Sequence, residues 1–140
     1  MVTQRRQHLT FRLPEPTLAR LDARAHQIRE TRTGLAERYL EEGLRMDEHP
    51  GIGFVDGPAG RRAFPLGTGL DVWQIISVVK ANRGSARATA SYLEVDEGLV
   101  RAAIRYYAAF PDEIDDWLRR EADAAEREEA AARRVRAVLR

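Results

Sequence analysis

The sequence predicts a mainly α-helical chain with short β elements: a strand followed by two helices, a β-hairpin leading into a helix-turn-helix unit, and a long C-terminal helix. Three observations carry this. Polar and apolar residues alternate over residues 8–13, HLTFRL, the period of a strand. Apolar residues then recur at three- and four-residue spacing through 18–44 and again through 72–107, the period of a helix with one buried face. Between those stretches, residues 47–70 hold six of the ten glycines and three of the six prolines, a composition that makes turns.

In the predicted strand His8, Thr10 and Arg12 share one face, and Leu9, Phe11 and Leu13 the other. A lone strand is unstable, and its simplest partner is the same strand of a second subunit. Pro14, Glu15 and Pro16 then mark a helix start, since proline is tolerated in a first turn and an acid is favoured by the helix dipole. Leu18, Leu21, Ala25 and Ile28 line that helix. The Thr33 hydroxyl is expected to cap the next one, which carries Leu35, Ala36, Tyr39, Leu40, Gly43 and Leu44.

A linker is expected at 47–51, followed by a hairpin of 52–55 and 61–66 turning through DGPAG. Three short helices follow. Asp71 caps 72–81, with Val72, Ile75, Ile76 and Val79 apolar; Ser85 caps 86–93; Asp96 caps 97–109, with Leu99, Val100, Ala103, Ile104 and Tyr107 inward. Their close spacing suggests a helix-turn-helix unit. Phe110 and Pro111 break the pattern, and a helix from Asp112 runs toward the end. Ile114, Trp117 and Leu118 form its first apolar cluster, and Val135, Val138 and Leu139 a second after an alanine- and charge-rich middle. The expected organisation is therefore a first domain at 1–46, the linker at 47–51, a second domain at 52–110 and a partner-binding helix at 111–140.

A chain of 140 residues fits one ordinary domain, or two small ones that dimerise to complete their cores. It has no cysteine, which excludes disulfides and thiolate metal sites. No apolar run is long enough to span a bilayer and none resembles a signal peptide, so a soluble, cytoplasmic protein without membrane partners is expected. The formal net charge of +1 hides an uneven distribution. Residues 1–32 carry seven arginines against three acids, net +4, whereas residues 112–129 carry nine acids against three arginines, net −6. One end suits nucleic acid and the other repels it.

A two-stranded ribbon with hydrogen-bonding side chains on one face fits a DNA major groove. His8, Thr10 and Arg12 are the candidates for base contact, with Arg5 and Arg6 as phosphate contacts or part of a disordered arm. The helix at 97–109 invites comparison with a recognition helix, and Arg83, Arg87 and Arg101 lie near it. Its entrance, however, carries Glu94, Asp96 and Glu97, the wrong sign for a polyanion, which favours dimerisation or a protein contact. The acids Asp112, Glu113, Asp115 and Asp116 are explained by a helix N-terminus rather than by a metal. Glycines 51, 53, 57 and 60 suit a hairpin and linker, there being no following helix at phosphate-loop spacing. His8, His26 and His49 fall in different elements. No catalytic set, metal site or cofactor is expected, and the chain is not read as an enzyme. Arg133, Arg134, Arg136 and Arg140 make either a solvated helix face or a basic insertion.

The first 46 residues, with HLTFRLP before two amphipathic helices, resemble the ribbon-helix-helix family of dimeric repressors, to which Arc and MetJ belong. The resemblance implies that His8, Thr10 and Arg12 face bases, and that Arg32 and Thr33, with the amides of Gly34 and Leu35, hold a phosphate. Thr31 stands where that family commonly has glycine. Residues 49 to about 118, with HPGIGFVDGPAGRRAF, GLDVW and IRYYAAFPDEIDDWL, resemble the bacterial domain-of-unknown-function family 433, which has a helix-turn-helix core and is commonly encoded beside PIN-like nuclease toxins. Together they imply a VapB-type antitoxin of a type II toxin–antitoxin system. Such a protein forms a homodimer or higher even-numbered oligomer, represses its own operon by binding operator DNA, and neutralises a PIN-like toxin. Ile114, Trp117 and Leu118 would anchor in a groove of the toxin, while Arg133, Arg134 and Arg136 would pair with its metal-binding carboxylates. The alternative is a stand-alone homodimeric transcriptional regulator with no toxin partner, and a third reading is an architectural binding protein.

Overall fold

The computed structural model describes residues 4–139. Arg140, counted with the basic tail above, lies outside them. The described chain is mainly helical with one short antiparallel hairpin, in the order α1 (Glu15–Ile28), α2 (Arg32–Glu48), β1 (Ile52–Gly57), β2 (Gly60–Pro65), α3 (Val72–Ala81), α4 (Ala86–Leu93), α5 (Glu97–Ala109) and α6 (Pro111–Val138). It divides into two compact units, one ending at Gly43 and the other starting at Leu44. The division falls inside α2, so the expected linker at 47–51 is corrected: helix continues through Glu48 and only 49–51 connect it to β1. Nothing at Asp47 or Glu48 breaks a helix, and the breakers are Pro50 and Gly51, the latter at φ 90°.

In the first unit α1 opens on Pro14, with Pro16 in its first turn, and ends at Arg29 in the left-handed conformation, φ 57°. That turn delivers Thr31, not Thr33, to the start of α2. The Gly34 amide donates to Thr31 Oγ1 at 3.0 Å, while Thr33 is already the second residue of the helix, exposed. Thr31 is therefore the cap, its hydroxyl oxygen being the acceptor for that amide. Gly34 is bound to this geometry, because a Cβ there would lie 2.9 Å from the same oxygen. The buried apolar residues of this unit are Ala25 and Leu35.

The second unit has the larger core. β1 and β2 pair from Ile52↔Pro65 to Gly57↔Gly60, leaving Pro58 and Ala59 as the turn. Ile52 and Ala63 cover a cluster formed by α3, α4 and α5, including Ile75, Ile76, Ala90, Val100 and Ala103. The three helices begin where the caps predict. The Asp71 amide donates to Gln74 Oε1 at 2.8 Å, the Ala88 amide to Ser85 Oγ at 3.0 Å, and the Gly98 amide to Asp96 Oδ1 at 2.7 Å. On α5 the expected inward set needs one correction: Tyr106, rather than Tyr107, is fully buried, and Leu99, Ile104 and Tyr107 are half-buried at the edge. Among the described residues no helix is long and apolar enough to cross a membrane.

Candidate nucleic-acid and partner interfaces

Residues 4–14, which include the predicted strand, form no regular element. A strand is defined by ladder hydrogen bonds to a neighbour, and a single chain offers this segment none. His8, Thr10 and Arg12 are exposed. So is the apolar half of the alternation, with Leu9 75% and Phe11 55% accessible. Phe11 and Leu13 border an open trough whose other walls include the apolar Leu21, Ala36, Tyr39 and Leu40 and the polar Thr17, Arg20 and Arg24 from α1 and α2. Leu9, Phe11, Leu13, Tyr39 and Leu40 are thus exposed in a unit whose buried apolar residues are Ala25 and Leu35, the condition of half a core.

Of the expected phosphate contacts, Arg5 and Arg6 are exposed, and Arg6 pairs with Glu37 on α2 at 2.5 Å. Arg32 is engaged within the unit. Its Nε and Nη2 donate to the two oxygens of Asp22 at 2.5 and 2.8 Å, a planar fork on a carboxylate. These hydrogen bonds hold the Asp22 carboxyl below, and the Arg32 guanidinium above, their ordinary values. The structure therefore brings Thr33 and the Gly34 amide to one helix start but turns Arg32 toward α1.

The partner-binding expectation for α6 is corrected at its inner end. Ile114 is 2% accessible and belongs to the core of the second unit, Trp117 is 6% accessible, and Leu118 packs against that core. Arg120 seals the site: its guanidinium carbon stands 4.4 Å from the Trp117 ring centroid and Nη1 donates to the Ala59 carbonyl at 3.2 Å. These apolar anchors are spent on folding the chain that carries them. Arg133, Arg134 and Arg136 lie at the other end of α6, exposed beside Val135, Val138 and Leu139.

Three of the acids at the start of α6, Glu113, Asp115 and Asp116, meet a donor or cation. Glu113 accepts from Tyr106 at 2.6 Å and Arg45 at 3.1 Å; Asp115 accepts from Tyr107 at 2.7 Å and stands 3.6 Å from Lys80 Nζ; Asp116 pairs with Arg119 and Arg120 at 3.3 and 2.8 Å. The arginine hydrogen bonds hold the Asp116 carboxyl below the usual range, and the Tyr107 hydroxyl, with Asp115, holds the Lys80 ammonium above its own. At the α4–α5 turn Asp96 is committed to its cap and Glu97 pairs with Arg101 at 2.8 Å, so one of the three arginines near that helix is already neutralised.

Sequence reasoning missed the polar cluster that ties α2 to α5 and α6 within the second unit. Arg45 lies 61 residues from Tyr106 and 68 from Glu113, and its guanidinium carbon sits 3.8 Å from the Phe110 ring centroid. Arg45 continues the apolar stripe of α2 by no helical spacing, so nothing in the sequence around it marks its partners. No family model, curated protein or solved structure matches the chain.

Proposed function

We propose that the chain is a homodimeric repressor of the antitoxin kind: residues 8–13 of two copies pair into a ribbon that binds operator DNA, and the second unit with α6 engages a nuclease toxin. The observation that carries this reading is the alternating segment with its apolar side exposed over an open trough, placed before two helices. A second copy would cover Leu9, Phe11 and Leu13 and leave His8, Thr10 and Arg12 outward, where threonine and arginine can meet base edges and Arg5 can meet phosphate. The order strand, helix, helix then corresponds to the ribbon-helix-helix arrangement, and the hairpin with α3–α5 to the helix-turn-helix core of the second family. No step calls for a catalytic residue or cofactor.

Arg12→Ala tests the DNA arm. Affinity for the chain's own upstream DNA, measured against random DNA at fixed salt, should fall by about 1 to 3 kcal/mol per base contact. An equal loss on both DNAs makes Arg12 a phosphate contact and overturns the ribbon as reader. A stop after Glu121 tests the toxin arm, because it keeps Ile114, Trp117, Leu118 and Arg120 and removes Arg133, Arg134 and Arg136. That chain should still fold and hold DNA but fail to neutralise the nuclease encoded beside it.

One observation favours the second reading, a stand-alone regulator with no toxin partner. The anchors assigned to toxin binding, Ile114 and Trp117, are buried in their own unit. Full-length protein that binds its operator yet leaves a neighbouring nuclease active decides for the regulator.

A further inference from the structure

We infer that Glu37 is a positioning residue for the ribbon: by holding Arg6 it fixes the free end of residues 8–13 on the first unit before a second copy pairs with them. This rests on the pairing of residues 8–13 proposed above, and it takes Arg6 out of the phosphate contacts. At one end the segment runs through Pro14 into α1. Next to that end Phe11 and Leu13 lie against both helices, bordering the trough toward Tyr39 and Leu40 and a second hollow formed with Leu18, Thr33 and Ala36. Farther out the apolar grip is lost, Leu9 being 75% accessible. The next attachment is Arg6, whose Nη2 donates to Glu37 Oε1 at 2.5 Å across 31 residues of chain.

Helical spacing puts Glu37 beside Leu40, three residues on, so the clasp sits at the rim of the trough that the second copy would cover. Residues 8–13 are thereby held from both sides. The unit's ion pairs Arg32–Asp22 and Arg38–Glu30 stay within α1, α2 and the turn between them, whereas Arg6–Glu37 reaches the segment before Pro14. With side chains 80% and 53% accessible, the pair adds little to the stability of the folded chain. Its effect falls on pairing. A segment without ladder hydrogen bonds must be ordered when it meets its twin, and one already laid along its own unit has less freedom left to lose. In a two-fold dimer the clasp acts twice.

Charge reversal and its repair test the clasp. Full-length Arg6→Glu, Glu37→Arg and the doubly reversed chain are compared with the unaltered protein by sedimentation over a concentration series. Both positions are exposed, so all three chains should keep the fold. Each single reversal should raise the dimer dissociation constant severalfold, and the double reversal should restore it. The singles change the net charge in opposite directions, so overall repulsion would not weaken both. At about 1 M salt, where the Debye length is about 3 Å, the difference between the chains should close. Phe11→Arg, on the apolar side of the ribbon, keeps the two proposals apart. A dimer lost with Phe11→Arg but indifferent to the reversals, weakened by only one of them, or not repaired by the double, overturns the clasp and leaves the ribbon. A chain that forms no dimer, or a dimer that Phe11→Arg leaves intact, overturns the ribbon and the clasp with it.

Discussion

Arg45 donates a 2.7 Å hydrogen bond to the hydroxyl of Tyr106, which itself donates one of 2.6 Å to Glu113. Tyr106 is wholly buried, so its hydroxyl has protein partners where water cannot reach, and the ring beneath it fills the centre of the second unit. Tyr106→Phe keeps the ring and removes both bonds. Urea unfolding should show a loss of about 1 to 2 kcal/mol, the cost of leaving Arg45 and Glu113 to pair without their bridge. An unchanged midpoint would show that the two side chains re-pair without loss.

The same hydroxyl sets an alkaline limit. Burial first, and then the hydrogen bond to Glu113, raise the Tyr106 pKa above the ordinary 10.0. The sign follows from where the proton is held more tightly. Below pH 10 the hydroxyl is protonated in both states and its contribution is complete. Above that, the unfolded chain releases the proton and the folded one keeps it, so stability falls as pH rises. The unfolding midpoint should drop from about pH 10 upward, and Tyr106→Phe should lack that component. Parallel pH curves for the two proteins would assign the loss to other groups.

The start of α2 separates two threonines that look alike in sequence. Thr31→Ala removes the acceptor of the Gly34 amide and should cost about 0.5 to 2 kcal/mol, whereas Thr33→Ala, within the first turn and exposed, should change little. Gly34→Ala should resemble Thr31→Ala, because its Cβ would displace the capping oxygen. Thermal unfolding of the three variants ranks them, and an inverted order for the threonines refutes the cap.

What was legible in the sequence is what local chemistry decides. Asp71, Ser85 and Asp96 start α3, α4 and α5 at the expected residues, since a cap and the amide it satisfies lie within three positions of each other. Thr31 against Thr33 was not decidable that way: the choice depends on Arg29 adopting a left-handed turn. Tyr106 against Tyr107 is a rotation of about 100° on one helix, settled only by the packing of α5 against the hairpin and α6. Arg45 and Glu113 meet across 68 residues, and no periodicity in either segment encodes that meeting. The segment at 8–13 is the opposite case, in which the alternation is plain in sequence and its pairing needs a second chain.

Trp117 distinguishes a core residue from a docking anchor. Trp117→Ala should destabilise the second unit by about 3 to 5 kcal/mol, read by urea unfolding of the protein alone, because the ring is buried and Arg120 rests on it. A toxin anchor would give the reverse pattern, unchanged stability with weakened partner binding.

Asp22 governs how much positive charge the start of α2 offers to DNA. Arg32 is closed on Asp22 by two hydrogen bonds, both side chains being well exposed, and a phosphate at the Thr33–Gly34 turn would have to compete for it. Asp22→Asn removes the competing charge without changing shape. If the first unit binds DNA as proposed, affinity should rise by a similar factor on specific and random sequences. The dependence of log K on log salt should steepen by about 1 per subunit, as one further phosphate contact is made. A gain confined to the operator would instead mean that Arg32 reads a base, and no gain at all would mean that the Asp22 pair persists alongside DNA or that the helix start stands away from it.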